Sequence, residues 1–288
     1  MKENEPMSLH TSFKVGGPAR YFEEPESVSE LAQIIKNLNR AYKPYVVIGN
    51  GSNLLVSDKG YDGTIVEVGK KLSGLETEGN SIFAEAGVPL SLLAATARDH
   101  GLTGLEFASG IPGYVGGAVV MNAGAYDGEI KDVLKSVVLI NPQGEIVYED
   151  ADNLDLSYRH SNIPDRKMTV AGALFVLNDG DPKEIGAKMK ELNSRRIEKQ
   201  PLELPSAGSF FKRPEGFFAG KLISDAGLKG YKVGGAAVSE KHAGFIINTG
   251  DASAQDIYDL SCFVIKTVKE KYGVTLEREV KLLGEFCE

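Results

Sequence analysis

Two glycine-rich segments without charge are the first candidates for chemistry. Val47-Ile48-Gly49-Asn50-Gly51-Ser52-Asn53-Leu54-Leu55-Val56 reads as a strand, a polar loop and a second apolar run. Glycines let consecutive backbone N–H groups turn toward an anion, and the Ser52 hydroxyl and the amides of Asn50 and Asn53 can add hydrogen bonds. The dinucleotide fingerprint is not met, because Leu54 holds the third glycine position and no helical pattern follows. The second segment runs Gly110-Ile111-Pro112-Gly113-Tyr114-Val115-Gly116-Gly117-Ala118-Val119-Val120-Met121-Asn122-Ala123-Gly124-Ala125-Tyr126. Its many small residues permit close approach of a flat or elongated ligand to the backbone. Each segment alone also reads as a tightly packed turn. Together, about 60 residues apart and both uncharged, they favour one extended diphosphate cofactor held by backbone N–H groups.

The polar candidates lie elsewhere. Ser209 sits in Ala207-Gly208-Ser209-Phe210-Phe211-Lys212, outside any Gly-x-Ser-x-Gly elbow, so a hydrolase nucleophile is not supported. Arg159 offers a permanent cation suited to a carboxylate. Glu279 alternates with Arg278 and Val280, which puts it on a polar strand face with Glu277 and Lys281. Taken singly, Ser209 reads as a turn serine, Arg159 and His242 as loop residues, and Glu279 as part of a solvated face. Two cysteines, Cys262 and Cys287, suffice neither for a disulfide framework nor for a four-ligand zinc site, so no metal is expected. Cys262 falls in an apolar helical pattern and reads as a small core residue.

Charge is unevenly shared. The chain is net −8, yet the stretch from Lys183 to His242 carries 12 Lys and Arg against 7 Asp and Glu. A locally basic segment in an acidic protein suits an anionic small ligand, and a global basic field for nucleic acid is absent. Met1 to Ser8 has no signal-peptide core, and few cysteines suit a reduced compartment, so a cytoplasmic location is expected. Phe107 to Tyr126 contains no Asp, Glu, Lys or Arg, but its five glycines and Pro112 make a poor spanning helix. A buried glycine-rich turn system is the reading adopted for it.

Around these residues the pattern is α+β. Helices are expected at Ser27 to Ala41 (Ser27 and Glu30 in capping-box spacing), Pro89 to His100, from Asp181-Pro182 onward, Phe217 to Ala226, and Ser253 to Tyr272 stopped by Gly273. Strands are expected at Tyr45 to Ile48, Thr64 to Val68, Ser81 to Ala86, Val137 to Ile140, Glu145 to Tyr148, Val170 to Leu177, Tyr231 to Val238, Gly244 to Asn248 and Val274 to Leu282. Asn141-Pro142-Gln143-Gly144 marks a hairpin turn. The length suggests about two domains, with a boundary near residue 180.

Several segments, in order over most of the chain, carry a resemblance. They are Thr11-Ser12-Phe13-Lys14-Val15-Gly16-Gly17-Pro18-Ala19, the two glycine loops with Ser157-Tyr158-Arg159, Ala207 to Lys212, Gly234-Gly235-Ala236-Ala237-Val238 with His242-Ala243, and Leu276-Glu277-Arg278-Glu279-Val280. In these the chain resembles the UDP-N-acetylenolpyruvoylglucosamine reductases, flavin enzymes of peptidoglycan precursor synthesis, in their short form. The resemblance implies a two-lobed FAD-binding domain of the vanillyl-alcohol-oxidase type over 1–180 (lobes about 1–67 and 68–180), followed by an α+β UDP-sugar-binding domain over 181–288. It implies non-covalent FAD, with Gly49, Asn50, Gly51, Ser52, Asn53, Gly113, Gly116, Gly117, Ala118, Asn122, Ala123 and Gly124 as its contacts. NADPH would reduce the flavin, which would pass hydride to the enolpyruvyl ether of UDP-N-acetylglucosamine. Ser209 would then donate the proton, with Arg159 and Glu279 at the substrate carboxylate. Lys199, Arg213 and His242 would bind the substrate, with Lys232 and Lys241 adding positive field. A monomer free of nucleic acid and membrane is expected. Two other functions remain open on the residues alone: an FAD-dependent sugar or alcohol oxidase, and a non-catalytic nucleotide-binding module.

Overall fold

The computed structural model describes residues 1–287. The chain divides into two compact units. The first comprises Met1, Phe22–Asn50 and Gly63–Arg196; the second comprises Lys2–Tyr21, Gly51–Asp62 and the described residues from Ile197 onward.

The first unit is built on an antiparallel five-stranded sheet in the order Ile146–Asp150, Leu134–Ile140, Thr169–Val176, Ser81–Glu85, Leu75–Glu78. The hairpin turn lies where Asn141 predicts it: the Gly144 N–H donates to the Asn141 carbonyl at 2.9 Å. Tyr45–Ile48 pairs in parallel with Thr64 to Glu67. Four helices belong with these strands: α1 (Val28–Arg40), α2 (Leu90–Asp99), α3 (Val115–Val120) and α4 (Pro182–Lys199), the last extending three residues past the unit's end at Arg196. Ser27 caps α1 by accepting the Glu30 N–H at 3.1 Å. Glu30 reaches back one residue further than a regular box, to the Glu26 N–H at 2.8 Å. Asp181 takes the Lys183 N–H at 2.8 Å and so starts α4. Ile185 and Met189 of α4 lie in the same core as Leu93, Val115, Val137 and Phe175. The apolar stripe of α4 therefore groups it with the sheet, and the compact unit extends past residue 180.

The second unit packs α5 (Ala219–Asp225) and α6 (Ala254–Tyr272) around Phe13, Phe210, Leu222, Ile257, Leu260 and Val264. It contains a three-stranded antiparallel sheet, Lys232–Val233, Ala236–Val238 and Ile246–Asn248, and a parallel pair of Leu54–Val56 with Lys281–Leu283. Helix α6 is capped twice. Ser253 and Asp256 form a capping box, and the Asp58 carboxylate accepts the Ala254 and Gln255 N–H groups, both at 2.9 Å. Gly273 ends α6 at φ 71°.

Four expectations are corrected. Tyr231 to Val238 is a hairpin, because Gly234 turns at φ 50°. In Val274 to Leu282 only the last two residues belong to a strand, Lys281–Leu283. The helix expected from Phe217 begins at Ala219, with Phe218 as its N-cap. The turn system of Phe107 to Tyr126 contains the short helix α3.

Candidate active site

In the first unit the two glycine segments meet. The Asn50 side-chain amide donates to the Pro112 carbonyl at 3.4 Å. A Cβ at Gly49 would lie 3.6 Å from the Tyr114 ring, an ordinary contact. Burial and the nearby Glu67 carboxylate raise the Tyr114 phenol above its usual range. The glycines of α3 differ from one another. The Val115 and Gly116 N–H groups donate to the Val88 and Ala86 carbonyls at 2.9 and 2.8 Å, so neither is a spare donor. A Cβ on Gly116 would stand 2.9 Å from that of Ala86, so packing alone requires glycine there. Gly117 is exposed, and a Cβ on it would meet nothing within 4 Å. Helix propensity disfavours glycine at that position by about 1 kcal/mol. The fold does not require Gly117, and its bare backbone fits a flat or elongated ligand resting against it. Uncharged walls suit an isoalloxazine or a diphosphate held by amides, so the residues present fit FAD.

Asn122 has a different place. It is fully buried at φ 40°. Its amide donates to the Glu129 carboxylate (2.7 Å) and the Ser157 carbonyl (3.0 Å), and its oxygen accepts the Lys131 N–H (2.9 Å). Those bonds use both amide hydrogens, so the side chain organises the loop. Ala123 donates its N–H to the Ala118 carbonyl at 2.8 Å. Gly124 is a packing glycine, since a Cβ would lie 2.6 Å from the Gly128 carbonyl oxygen. Arg159 is brought to this loop: its guanidinium donates to the Gly124 carbonyl at 3.1 Å and lies 5.0 Å from the centre of the Tyr158 ring. Its backbone is left-handed, φ 55°, within a tight bridge between Ser157 and His160. A non-glycine residue held this way costs about 1–3 kcal/mol, a form of strain that clusters at functional sites.

Arg196 was not anticipated. Its guanidinium is drawn below its usual pKa by burial, against a smaller opposing influence of Tyr126, and a Cβ on Gly110 would lie 3.2 Å from its Cδ. Both neighbours belong to the second glycine segment. Read along the chain, Arg195-Arg196 looks like the polar end of α4. The only available signal was its position within the basic stretch.

In the second unit Ser209 is exposed and follows Gly208, which turns at φ 75°. Beyond it a short antiparallel ladder forms. The Glu279 N–H donates to the Phe210 carbonyl (2.8 Å), the Lys212 N–H donates to the Glu277 carbonyl (2.9 Å), and Phe211 faces Arg278. Ser209 and Glu279 are thus brought to one end of the same ladder. Asn53 adds a tie, donating to the Glu279 carbonyl at 3.2 Å and accepting the Lys281 N–H at 3.0 Å. Gly51 at φ 60° admits no side chain, because a Cβ would lie 1.9 Å from the His10 carbonyl oxygen. Ser52 occupies the intervening turn, half-buried. The expected solvated face is only partly present: Glu277 and Lys281 are exposed, whereas Glu279 is half-buried.

His242 is half-buried, and its Nδ1 accepts the Gly244 N–H at 3.1 Å. Burial, with Lys229 as a lesser cause, lowers its pKa below the ordinary 6.5, so the ring is neutral at pH 7. Arg213 lies over Phe218, its Cζ 4.0 Å from the ring centre. Lys199 is exposed at the end of α4. Lys232 and Lys241 line a separate cavity, together with Leu204, Val238 and Ile247. There Lys241 is committed to the Ile197 carbonyl (2.7 Å) and Glu203 (3.7 Å). Cys262 is half-buried rather than a closed core residue, and its sulfur accepts from Arg278. Among the described residues no His, Cys, Asp and Glu cluster could hold a metal, and no helix is long and apolar enough to cross a membrane.

Known proteins resemble this chain over its whole length. Residues 19–148 match the family described as FAD binding domain. Residues 200–283 match the family described as UDP-N-acetylenolpyruvoylglucosamine reductase, C-terminal domain. The UDP-N-acetylenolpyruvoylglucosamine reductase of Agathobacter rectalis is 52% identical, over 99% of this chain and 94% of that one. That of Caldanaerobacter subterraneus subsp. tengcongensis is also 52% identical, over 98% and 93%. The crystal structure of UDP-N-acetylenolpyruvylglucosamine reductase from Thermus caldophilus superposes with a TM-score of 0.85 at 35% identity, covering 98% of each chain. The fold class is α+β, with an FAD-binding domain followed by the C-terminal domain of the reductase family. Identity at this level, carried across both the flavin-binding and the C-terminal regions, means that the chain belongs to the UDP-N-acetylenolpyruvoylglucosamine reductase family.

Proposed function

We propose that this chain reduces the enolpyruvyl ether of UDP-N-acetylglucosamine to UDP-N-acetylmuramate with NADPH, a step in peptidoglycan precursor synthesis. The family and the FAD-binding region support the activity. The observation that carries the residue roles is the ladder joining Phe210 to Glu279 beside Ser209. Bound FAD supplies hydride, received from NADPH, to the terminal enolpyruvyl carbon. The residues that would hold it are those of the two glycine segments, with Gly117 offering open backbone and Gly49 and Asn50 joining the segments.

Hydride addition leaves an electron pair on the neighbouring carbon, delocalised into the substrate carboxylate. Arg159 stabilises that carboxylate with a cation that never deprotonates. The Ser209 hydroxyl gives its proton to the carbon. So weak an acid can do so only because the acceptor is a strong base, and Ser209 then regains a proton from solvent. Glu279 orients the substrate carboxylate or acts as an acid beside it. Lys199, Arg213 and His242 hold the UDP-sugar, and a neutral His242 acts there as a hydrogen-bonding group rather than a cation. Functionally, the FAD-binding domain is assigned to residues 1–180 and the UDP-sugar-binding domain to residues 181–288, with Arg159 of the former acting on the substrate. The protein acts as a cytoplasmic monomer.

The test is purification followed by assay. A yellow protein that oxidises NADPH only with the enolpyruvyl substrate, yielding UDP-N-acetylmuramate, supports the reading. A colourless protein, or one that passes electrons from a sugar to oxygen, overturns it.

A further inference from the structure

We propose that Arg278 is a positioning residue for Glu279, acting through a clamp on helix α6; this rests on the roles given above to Ser209 and Glu279. The Arg278 guanidinium is half-buried. Its Nε donates to the Ser261 hydroxyl at 2.9 Å, one terminal nitrogen donates to the Cys262 sulfur at 2.9 Å, and its Cζ lies 4.9 Å from the centre of the Tyr258 ring. Ser261 is fully buried and spends its own proton on the Tyr258 carbonyl at 2.6 Å, which leaves its oxygen lone pairs for Arg278. The partners are two neutral acceptors and an aromatic face. A partly buried cation with neutral partners is a poor means of gaining stability, since an apolar side chain of similar volume serves as well or better.

What the fork supplies instead is geometry. Two acceptors on consecutive residues of one helical turn fix both the height and the rotation of the bridge segment that carries Arg278. The backbone of that residue faces Phe211, with the Lys212–Glu277 and Glu279–Phe210 bonds on either side. In extended chain, consecutive side chains leave on opposite faces, so holding Arg278 against α6 sets the direction of Glu279. The clamp therefore transmits the rigidity of α6 to the end of the ladder beside Ser209.

The experiment separates the two half-reactions of the holoenzyme by anaerobic stopped flow and adds amide hydrogen exchange. In R278A, substrate-driven flavin reoxidation should slow by roughly 10–100-fold, the loss expected from misplacement near 1 Å, while reduction by NADPH stays within about twofold. The Glu279 amide should exchange faster while amides within α6 keep their protection. R278K keeps the charge but not the fork and should not restore reoxidation. If R278A does not fold, S261A and C262A each remove one acceptor and should each slow reoxidation without slowing reduction. S209A and E279Q are run alongside. If these leave reoxidation intact, the role assignment falls and takes this proposal with it. If they slow reoxidation but the Arg278, Ser261 and Cys262 variants do not, or if both half-reactions fall in parallel, only the clamp is refuted.

Discussion

Glycine 117 is the residue at which stability and cofactor binding should part. Its backbone is helical, and a Cβ there would meet no atom within 4 Å. Alanine costs nothing sterically and restrains the unfolded chain, so Gly117→Ala should stabilise the flavin-free protein by about 0.5–1 kcal/mol. At roughly 2–4 °C per kcal/mol for a chain approaching this size, Tm should rise by about 1–4 °C. If FAD rests on that backbone, the added methyl overpacks the contact by about 1–3 kcal/mol. Its Kd should then rise roughly 5- to 150-fold. Gly116→Ala is the contrast. With 2.9 Å to the Ala86 Cβ and 3.3 Å to its carbonyl oxygen, it should destabilise the flavin-free protein by about 1–3 kcal/mol. The assays are thermal unfolding after flavin removal and titration of FAD fluorescence. A Gly117→Ala protein that binds FAD with the parent Kd would refute the placement of the cofactor on α3.

Other outcomes follow from the same geometry. Asn122→Ala removes the partners of a buried donor and acceptor set and should destabilise by about 1–3 kcal/mol, measured by urea unfolding, with the half-reaction rates of the surviving fraction retained. The folded-state pKa of His242 is depressed, so the unfolded chain binds the proton more tightly. Stability should be full above pH 6.5 and fall as pH drops through the depressed folded value. His242→Gln should flatten that slope in denaturation midpoints taken between pH 5 and 8. Arg196→Ala should leave α4 helical by circular dichroism but weaken ligand binding beside Gly110 and Tyr126, seen as a raised Kd for FAD or a raised KM for substrate; unchanged values of both would make Arg196 a structural residue only.

Sequence was most informative where local chemistry decides structure. Helix α6 is bounded by Ser253, Asp256 and Gly273, each acting through its own turn, and α1 and α4 start at Ser27 and Asp181 for the same reason. Helix α3 was hidden, because Val115-Gly116-Gly117 has poor propensity and no capping side chain. Its first turn is held by carbonyls of Ala86 and Val88, nearly thirty residues away. The last strand was overextended because alternation continues from Leu276 to Leu282, whereas the ladder partners change along it from Phe211 to Leu54. Within the candidate site, the glycines were legible as a group but not individually. Gly51, Gly116 and Gly124 answer close packing, and Gly117 alone among these four has space around it. Asn122 was named as an FAD contact through the resemblance alone, and the bonds of its side chain to Glu129 and Ser157 could not be inferred from spacing. Arg196 escaped because its neighbour Gly110 lies far along the chain.

The central claim is that Ser209 delivers the proton after hydride has left the flavin, and a single-turnover measurement on S209A tests it. NADPH should bleach the flavin of S209A at the parent rate, and subsequent mixing with the enolpyruvyl substrate should return the colour about 10²–10⁴-fold more slowly than in the parent. Return of the colour at the parent rate, with UDP-N-acetylmuramate formed, would contradict the account.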